Sequence, residues 1–259
     1  MMKEGDLVLL MDKKGKKYII KLKKGKFFEF HKGKVLHDEI LKKKIGEKIL
    51  TSTNEKLLIL KPTLNDFILK KLKRTSQIIY PKDVGQILVL ADIFNDAKVL
   101  EVGTGSGALT LYLLRFADRG KVFSIDERED MIKTAKENIE NFYGKKIEFI
   151  KNLVLKKQNF MDVEEKDFDR IILDIPDPWN YLKKIKEVLK EGGIVACWLP
   201  TALQVFNLID EIEKNFSKDF VVDGIYETLQ RDWQKQKKSL RPKDRMVAHT
   251  GFLIIFRKI

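Results

Sequence analysis

A chain of 259 residues with 44% hydrophobic content can build one large domain, or a medium domain plus a small one, around a substantial core. It holds no uninterrupted apolar run near the roughly 18 residues of a membrane span, and its first six residues lack the apolar centre of a signal peptide. The net charge of +13 is uneven: residues 1–75 hold 21 Lys or Arg against 9 Asp or Glu, whereas residues 76–259 hold 30 against 29. A basic first third fused to a neutral remainder points to a phosphate-rich partner. No basic amphipathic helix with bulky apolar anchors stands in that third, which favours nucleic acid over anionic lipid. The single cysteine, Cys197, excludes an internal disulfide and a cysteine-based metal site. His31, His37 and His249 are scattered without metal-ligand spacing. The expectation is a soluble, cytoplasmic protein with no metal and no membrane association.

Residues 1–63 read as short strands with tight turns. Leu7–Met11, Tyr18–Leu22, Phe27–Phe30 and Leu57–Leu60 are apolar or alternating runs, and Lys-Gly pairs at 14–15, 24–25 and 32–33 punctuate them. This predicts a small, basic, antiparallel β-domain, barrel-like in outline, with lysines on its outside for a nucleic-acid partner. Residues 64–97 connect it to a catalytic domain at 98–259. A helix opens at Thr63–Asp66, a turn surrounds Pro81, and Asp83 is placed as the N-cap of a helix from Val84 to Phe94. From 98 onward strands are predicted at 98–102, 121–125, 147–150, 170–174, 193–199, 220–226 and 248–256. Helices are predicted at 107–117, 129–142, 180–190 and 202–215. Alternation of this kind predicts an α/β, Rossmann-like sheet covered on both faces. Beyond 216 two strand-like runs flank a polar loop, Gln230–Arg245, which suggests an antiparallel pair ending the sheet.

The chemistry gathers at the ends of these strands. Val99–Val102 is a buried-strand run with Glu101 near its end; Gly103, Gly105 and Gly107 follow, and a helical run begins at Leu109. Strand, glycine turn and helix bring backbone N–H groups and a helix N-terminus up to a ligand. Gly103, Gly105 and Ala108 also satisfy the dinucleotide pattern, so a nucleotide-dependent oxidoreductase stays open at this point. Asp126 ends the second strand, 19 residues after Gly107, where an acid receives the ribose hydroxyls of an adenosine ligand. Asp174 ends the strand Arg170–Asp174, facing the crevice of an open α/β sheet, and the prolines of Ile-Pro-Asp-Pro-Trp179 stiffen the loop behind it. Trp179 offers an apolar plate for a flat substrate.

The form Glu101-x-Gly-x-Gly-x-Gly107 resembles motif I of the S-adenosylmethionine-dependent methyltransferases. Gln77–Asp83, Glu101–Thr110, Leu173–Trp179, Leu199–Thr201 with Gln204, and His249–Leu253 occur in an order and at distances that together resemble the tRNA (adenine-N1)-methyltransferases of the TrmI type, over nearly the whole chain. The resemblance implies a class I methyltransferase domain that uses S-adenosyl-L-methionine and acts on N1 of an adenine in the T-loop of tRNA. The target would be position 58, with 57 added in some members, and the assembly a homotetramer. It also implies roles for residues. Glu101, Gly103, Gly105, Ser106, Gly107, Ala108, Leu109 and the backbone near Ile79 would bind the methyl donor. Asp126 would hold its ribose and Asp162 its adenine. Asp174 would be the catalytic carboxylate and Tyr80 would border the substrate base. The family often carries Glu at the position of Asp126, a departure that keeps the carboxylate. The alternatives are a nucleotide-dependent oxidoreductase, which is the main rival, and a methyltransferase acting on another RNA.

Overall fold

The computed structural model describes residues 2–259. The chain divides into two compact units: residues up to Lys73 together with Asn138–Lys146, and Arg74–Glu137 together with Ile147–Ile259. Among the described residues no helix is long and apolar enough to cross a membrane.

The first unit contains β1 (Leu7–Asp12), β2 (Lys17–Lys21), β3 (Phe27–Phe30), β4 (Gly33–Leu36), α1 (His37–Leu41), β5 (Lys48–Leu50), β6 (Lys56–Leu60) and α2 (Leu64–Lys70). Four strands form an antiparallel sheet in the order β2-β1-β6-β5, and β3 pairs with β4 as a separate hairpin. Among the described residues the ladder ends at β2 and β5, so no hydrogen-bonded closure accompanies the barrel-like outline expected from sequence. Period-2 alternation decides what is buried. Val8 and Leu10 of β1, Ile20 of β2, Ile49 of β5, and Leu57 and Ile59 of β6 meet Val35 and Ile40 in one core. The helix α2 begins with a reciprocal cap in which the Thr63 hydroxyl accepts from the Asp66 amide at 3.0 Å and Asp66 accepts from the Thr63 amide at 3.1 Å. Leu64, Phe67 and Ile68 form its buried stripe.

The second unit contains α3 (Pro81–Leu90), β7 (Lys98–Val102), α4 (Ala108–Phe116), β8 (Lys121–Asp126) and α5 (Glu129–Tyr143), whose last residues belong to the first unit. It continues with β9 (Leu153–Lys157), β10 (Phe168–Leu173), α6 (Leu182–Val188), β11 (Leu189–Leu199), α7 (Ala202–Asn215), β12 (Phe220–Tyr226), β13 (Trp233–Gln236), β14 (Ser239–Pro242) and β15 (Phe252–Lys258). Seven strands form one sheet in the order β12-β15-β11-β10-β7-β8-β9. The run from β11 to β9 is parallel, and β15 lies antiparallel to both β11 and β12. The antiparallel ending expected from the sequence is therefore present. Buried apolar runs on β7, β10 and β11 mark strands covered on both faces. Strand order reverses between β7 and β10, and open sheets of this kind bind ligands in the crevice beyond the carboxyl ends of their strands at that point.

Three local expectations are corrected. The third strand is not 147–150: Ile147–Phe149 is a 3-10 turn with Phe149 exposed, and the edge strand begins at Leu153. The helix expected from Val84 begins at Pro81 with Tyr80 at its N-cap, because proline's fixed φ suits the first helical position. Asp83 consequently sits in the first turn, buried, and caps nothing. The polar loop Gln230–Arg245 contains the hairpin β13-β14.

Candidate active site

β7 ends at Val102, and the chain then turns through three glycines at left-handed φ: +94° at Gly103, +52° at Gly105 and +78° at Gly107. L-residues with a Cβ rarely adopt this conformation. Gly103 is needed for space as well, since a Cβ there would lie 2.4 Å from the Asp174 carbonyl oxygen. That approach is fixed by the sheet, because the Asp174 amide donates to the Val102 carbonyl at 2.9 Å. The end of β8 secures the turn's other side. The Gly103 and Thr104 amides donate to the Ile125 carbonyl at 2.9 and 3.1 Å, and the Gly105 amide donates to Asp126 Oδ2 at 3.0 Å.

Glu101 occupies the strand just before this turn and is 1% exposed. Its Oε2 accepts hydrogen bonds from the Thr110 and Ser124 hydroxyls, both at 2.6 Å. Its Oε1 is buried without a partner among the described residues. Burial raises the carboxyl, the two hydroxyls oppose that, and the charges of Asp174 and Asp126 add to it; the result is about 8. Asp126 is held by backbone amides at both oxygens, from Gly105 at 3.0 Å and from Arg128 at 3.0 Å. Asp174 follows β10, and no side-chain donor reaches its carboxylate among the described residues. Burial first, and then the charge of Asp126, push it up to about 7.

These residues line a crevice with two lobes. The first, about 290 Å³, is lined by Gln77, Ile78, Ile79, Glu101, Gly103, Gly105, Ser106, Ala108, Leu109 and Met131, with Asp126, Arg128 and Asp174. The second, about 300 Å³, shares Gly103, Asp126, Arg128 and Asp174 and adds Gln158, Phe160, Ile175, Pro176 and Tyr181. Most of the residues singled out from sequence are thus brought together around Asp126 and Asp174. Gly107 lies just behind them as the N-cap of α4, where a Cβ would approach Ala135 Cβ at 3.0 Å. Tyr80 and Asp162 line neither lobe. Tyr80 is half-buried at the N-cap of α3, and Asp162 is exposed at the end of the 3-10 turn Phe160–Asp162. Trp179 packs against the core of the unit and is not part of the lining. The aromatic surface comes instead from Phe160 and Tyr181, whose rings lie 5.5 Å apart at 32°.

Two supports hold the lining in place. The loop after Asp174 is tied to α7: Gln204 Nε2 donates to the Pro176 carbonyl at 2.8 Å, and the Thr201 hydroxyl donates to Gln204 Oε1 at 2.6 Å. The start of α3, directly after Ile78 and Ile79, is tied by Lys82. Its Nζ donates to Asp83 Oδ1 at 2.6 Å, the Thr228 carbonyl at 2.6 Å and Thr250 Oγ1 at 2.7 Å, while the Thr250 hydroxyl donates to Asp83 Oδ2 at 2.8 Å.

The chain is similar to known proteins over nearly its whole length. The family described as "tRNA methyltransferase complex GCD14 subunit" matches residues 56–251, and "TrmI-like N-terminal" matches residues 1–47. A relative from Thermus thermophilus, named tRNA (adenine(58)-N(1))-methyltransferase TrmI, is 32% identical over 97% of this chain and 96% of its own length. Among solved structures, the tRNA (m1A58) methyltransferase TrmI of Aquifex aeolicus superposes with a TM-score of 0.85 at 34% identity, covering 100% of this chain and 98% of that one. A Thermotoga maritima protein titled a SAM-dependent O-methyltransferase superposes with a TM-score of 0.91 at 35% identity, covering 100% and 94%.

Proposed function

Because the chain belongs to the TrmI-type family of tRNA (adenine-N1)-methyltransferases, we propose that it transfers a methyl group from S-adenosylmethionine to N1 of an adenine in the T-loop of tRNA, at position 58. The observation that carries this reading is Asp174: a carboxyl with no side-chain donor, at the switch point of the sheet and common to both lobes of the crevice.

The crevice suits the donor. Glu101 Oε1 is a buried acceptor still without a partner, as an ammonium group requires. Gly103 and Gly105 leave the backbone bare along one wall, and Ile79, Leu109 and Met131 supply apolar surface. When bound, S-adenosylmethionine supplies an electrophilic methyl group on a sulfonium. Glu101 would hold its ammonium, Asp126 its ribose, and Asp162, just beyond Gln158 and Phe160, its adenine. Tyr80 is assigned to the border of the target base.

Adenine N1 is buried in a stack or pair and must first be exposed by flipping or loop melting. N1 has its own lone pair, so no strong base is needed to create the nucleophile. Methylation leaves a cationic base whose charge spreads to N6. Asp174 accepts a hydrogen bond from N6, orients the base and stabilises that charge in a water-poor site. With its carboxyl near 7 it also accepts the N6 proton when one is released. A homotetramer in the cytoplasm completes the reading, and light scattering on the purified protein tests the assembly.

The decisive experiment is nucleoside mass spectrometry of an unmodified tRNA transcript incubated with protein and donor. 1-Methyladenosine in a T-loop fragment is the expected product. A ribose-methylated nucleoside, or methylation confined to another base, refutes the reading. Thermal protection by NAD but not by S-adenosylhomocysteine would restore the oxidoreductase alternative.

A further inference from the structure

The sheet of the first unit has one face turned to its core and one turned away. On the outward face the register places Lys17, Met11, Leu58 and Lys48 in a row across all four strands. Two residues further along, the next row on this face contains Ile19, Leu9 and Leu60, and there Ile19 and Leu9 are buried. Toward the β1–β2 and β5–β6 turns the face lies open, with Leu50 54% exposed opposite Lys56. A cavity of about 510 Å³ occupies this open part, with Met11 and Leu58 among its apolar lining and Lys13, Lys48 and Lys56 among its polar lining.

The charges around this cavity are not self-satisfied. Lys48 and Lys56 are exposed and make no ion pair or side-chain hydrogen bond among the described residues. Lys13 reaches Glu55 only at 3.5 Å. Asp12, the other acid in the lining, is already engaged by the amides of Lys14 and Lys16 at 2.8 and 2.9 Å and by Lys32 at 3.2 Å. An apolar floor beside unpaired cations has the chemistry of a nucleotide site, with the floor for a base face and the cations for its phosphate.

We propose that this cavity binds one nucleotide of the tRNA substrate, with the base against Met11 and Leu58 and the phosphate between Lys48 and Lys56. The proposal rests on the methyltransferase reading for the identity of its RNA. It specifies which part of a lysine-rich surface recognises RNA, and the surrounding lysines then act only through the general field.

The test measures binding and methylation of an unmodified tRNA transcript over a range of salt. The variant Lys48→Ser/Lys56→Ser should lower the log–log salt slope by roughly 1.4 to 1.8, the equivalent of two phosphate contacts. It should also raise the KM for tRNA on the order of tenfold, with kcat and thermal protection by S-adenosylhomocysteine unchanged. Met11→Ser should weaken tRNA binding while leaving the slope in place. The control Lys23→Ser/Lys24→Ser removes equal charge at the far end of β2 and should raise KM much less. Unchanged KM and slope in the first variant, unchanged affinity in the second, or an equal loss in the control each overturn the proposal. If the wild-type protein binds the transcript but does not methylate it, the functional reading fails, and the binding comparison still decides the cavity.

Discussion

The buried carboxyl of Glu101 offers a test in which stability and ligand affinity move in opposite directions. Its shift from an ordinary 4.5 to about 8 means that the ligand-free fold retains a proton that the unfolded chain has lost. The sign follows from linkage: between about 4.5 and 8 the native state binds more protons, so Glu101 lowers stability as pH rises through that window. At 1.36 kcal/mol for each pKa unit, the full penalty above pH 8 is about 5 kcal/mol as an upper bound, against less than ~1 kcal/mol at pH 5. Glu101→Gln keeps the shape and can still accept from Thr110 and Ser124. It should therefore raise the ligand-free Tm by roughly 5–10 °C at pH 8.5, and by no more than about 2 °C at pH 5. The same substitution removes the anionic partner of the donor's ammonium, a charge-assisted hydrogen bond worth about 1.5–3 kcal/mol. Affinity for S-adenosylhomocysteine, measured by calorimetry, should drop roughly 10- to 150-fold. A variant that binds as tightly as wild type, or that melts lower at pH 8.5, refutes the assignment of the unpartnered oxygen.

Other substitutions read the rest of the site. Asp174→Ala should cut turnover roughly 10²–10³-fold with thermal protection by S-adenosylhomocysteine retained. The wild-type rate should rise as pH passes through about 7, where the carboxylate forms, and Asp174→Asn should flatten that limb of the profile. Gly103→Ala forces a Cβ to within 2.4 Å of a backbone carbonyl at a φ of +94° and should destabilise by more than about 3 kcal/mol. Gly144→Ala, with a φ of +66° and nothing within 4 Å, should cost only about 1 kcal/mol in the same denaturant titration. Lys82→Met leaves Asp83 buried beside an apolar chain and should cost about 3–5 kcal/mol, whereas Lys82→Met/Asp83→Leu should lose less.

The parts of the site that were readable in sequence are contiguous. Glu101, the three glycines and the first turn of α4 carry their geometry in neighbouring residues, because left-handed turns demand glycine. Asp174 was readable because it closes an unbroken apolar run on a central strand. Other parts depended on topology. Gln158, Phe160 and Tyr181 join the crevice only because β9 and β10 end beside β8 and β7, and nothing local distinguishes them from core or loop residues. Lys82 and Asp83 look like the solvated start of a helix, yet tertiary packing buries them against Thr228 and Thr250. Trp179 invited a functional reading that the core claimed, since a large aromatic ring after two prolines packs wherever the stiff loop places it. The third strand is hard to place from sequence because Ile147–Ile150 is the more apolar run, whereas the edge strand, Leu153–Lys157, ends in two exposed lysines and is only partly buried.

The glycine turn alone leaves two adenosine cofactors in play, and the charges around it separate them. Glu101, Asp126 and Asp174 converge on one crevice in a chain whose net charge is +13. Burial raises the carboxyls of Glu101 and Asp174, and neighbouring carboxylates add to it, so the cleft retains protons up to pH 7 or 8. Arg128 is the only cation lining the first lobe among the described residues, and Asp130 already engages it at 2.9 Å. A dinucleotide would bring its pyrophosphate to the glycine turn, where the backbone amides at the start of α4 receive it but three acids line the same lobe and no cation is free to offset them. A sulfonium nucleoside brings positive charge at both its sulfur and its ammonium, which relieves the same repulsion. The acid two residues before the first glycine therefore does more than extend a motif: together with Asp126 and Asp174 it makes the lobe acidic, which favours a cationic ligand over an anionic one.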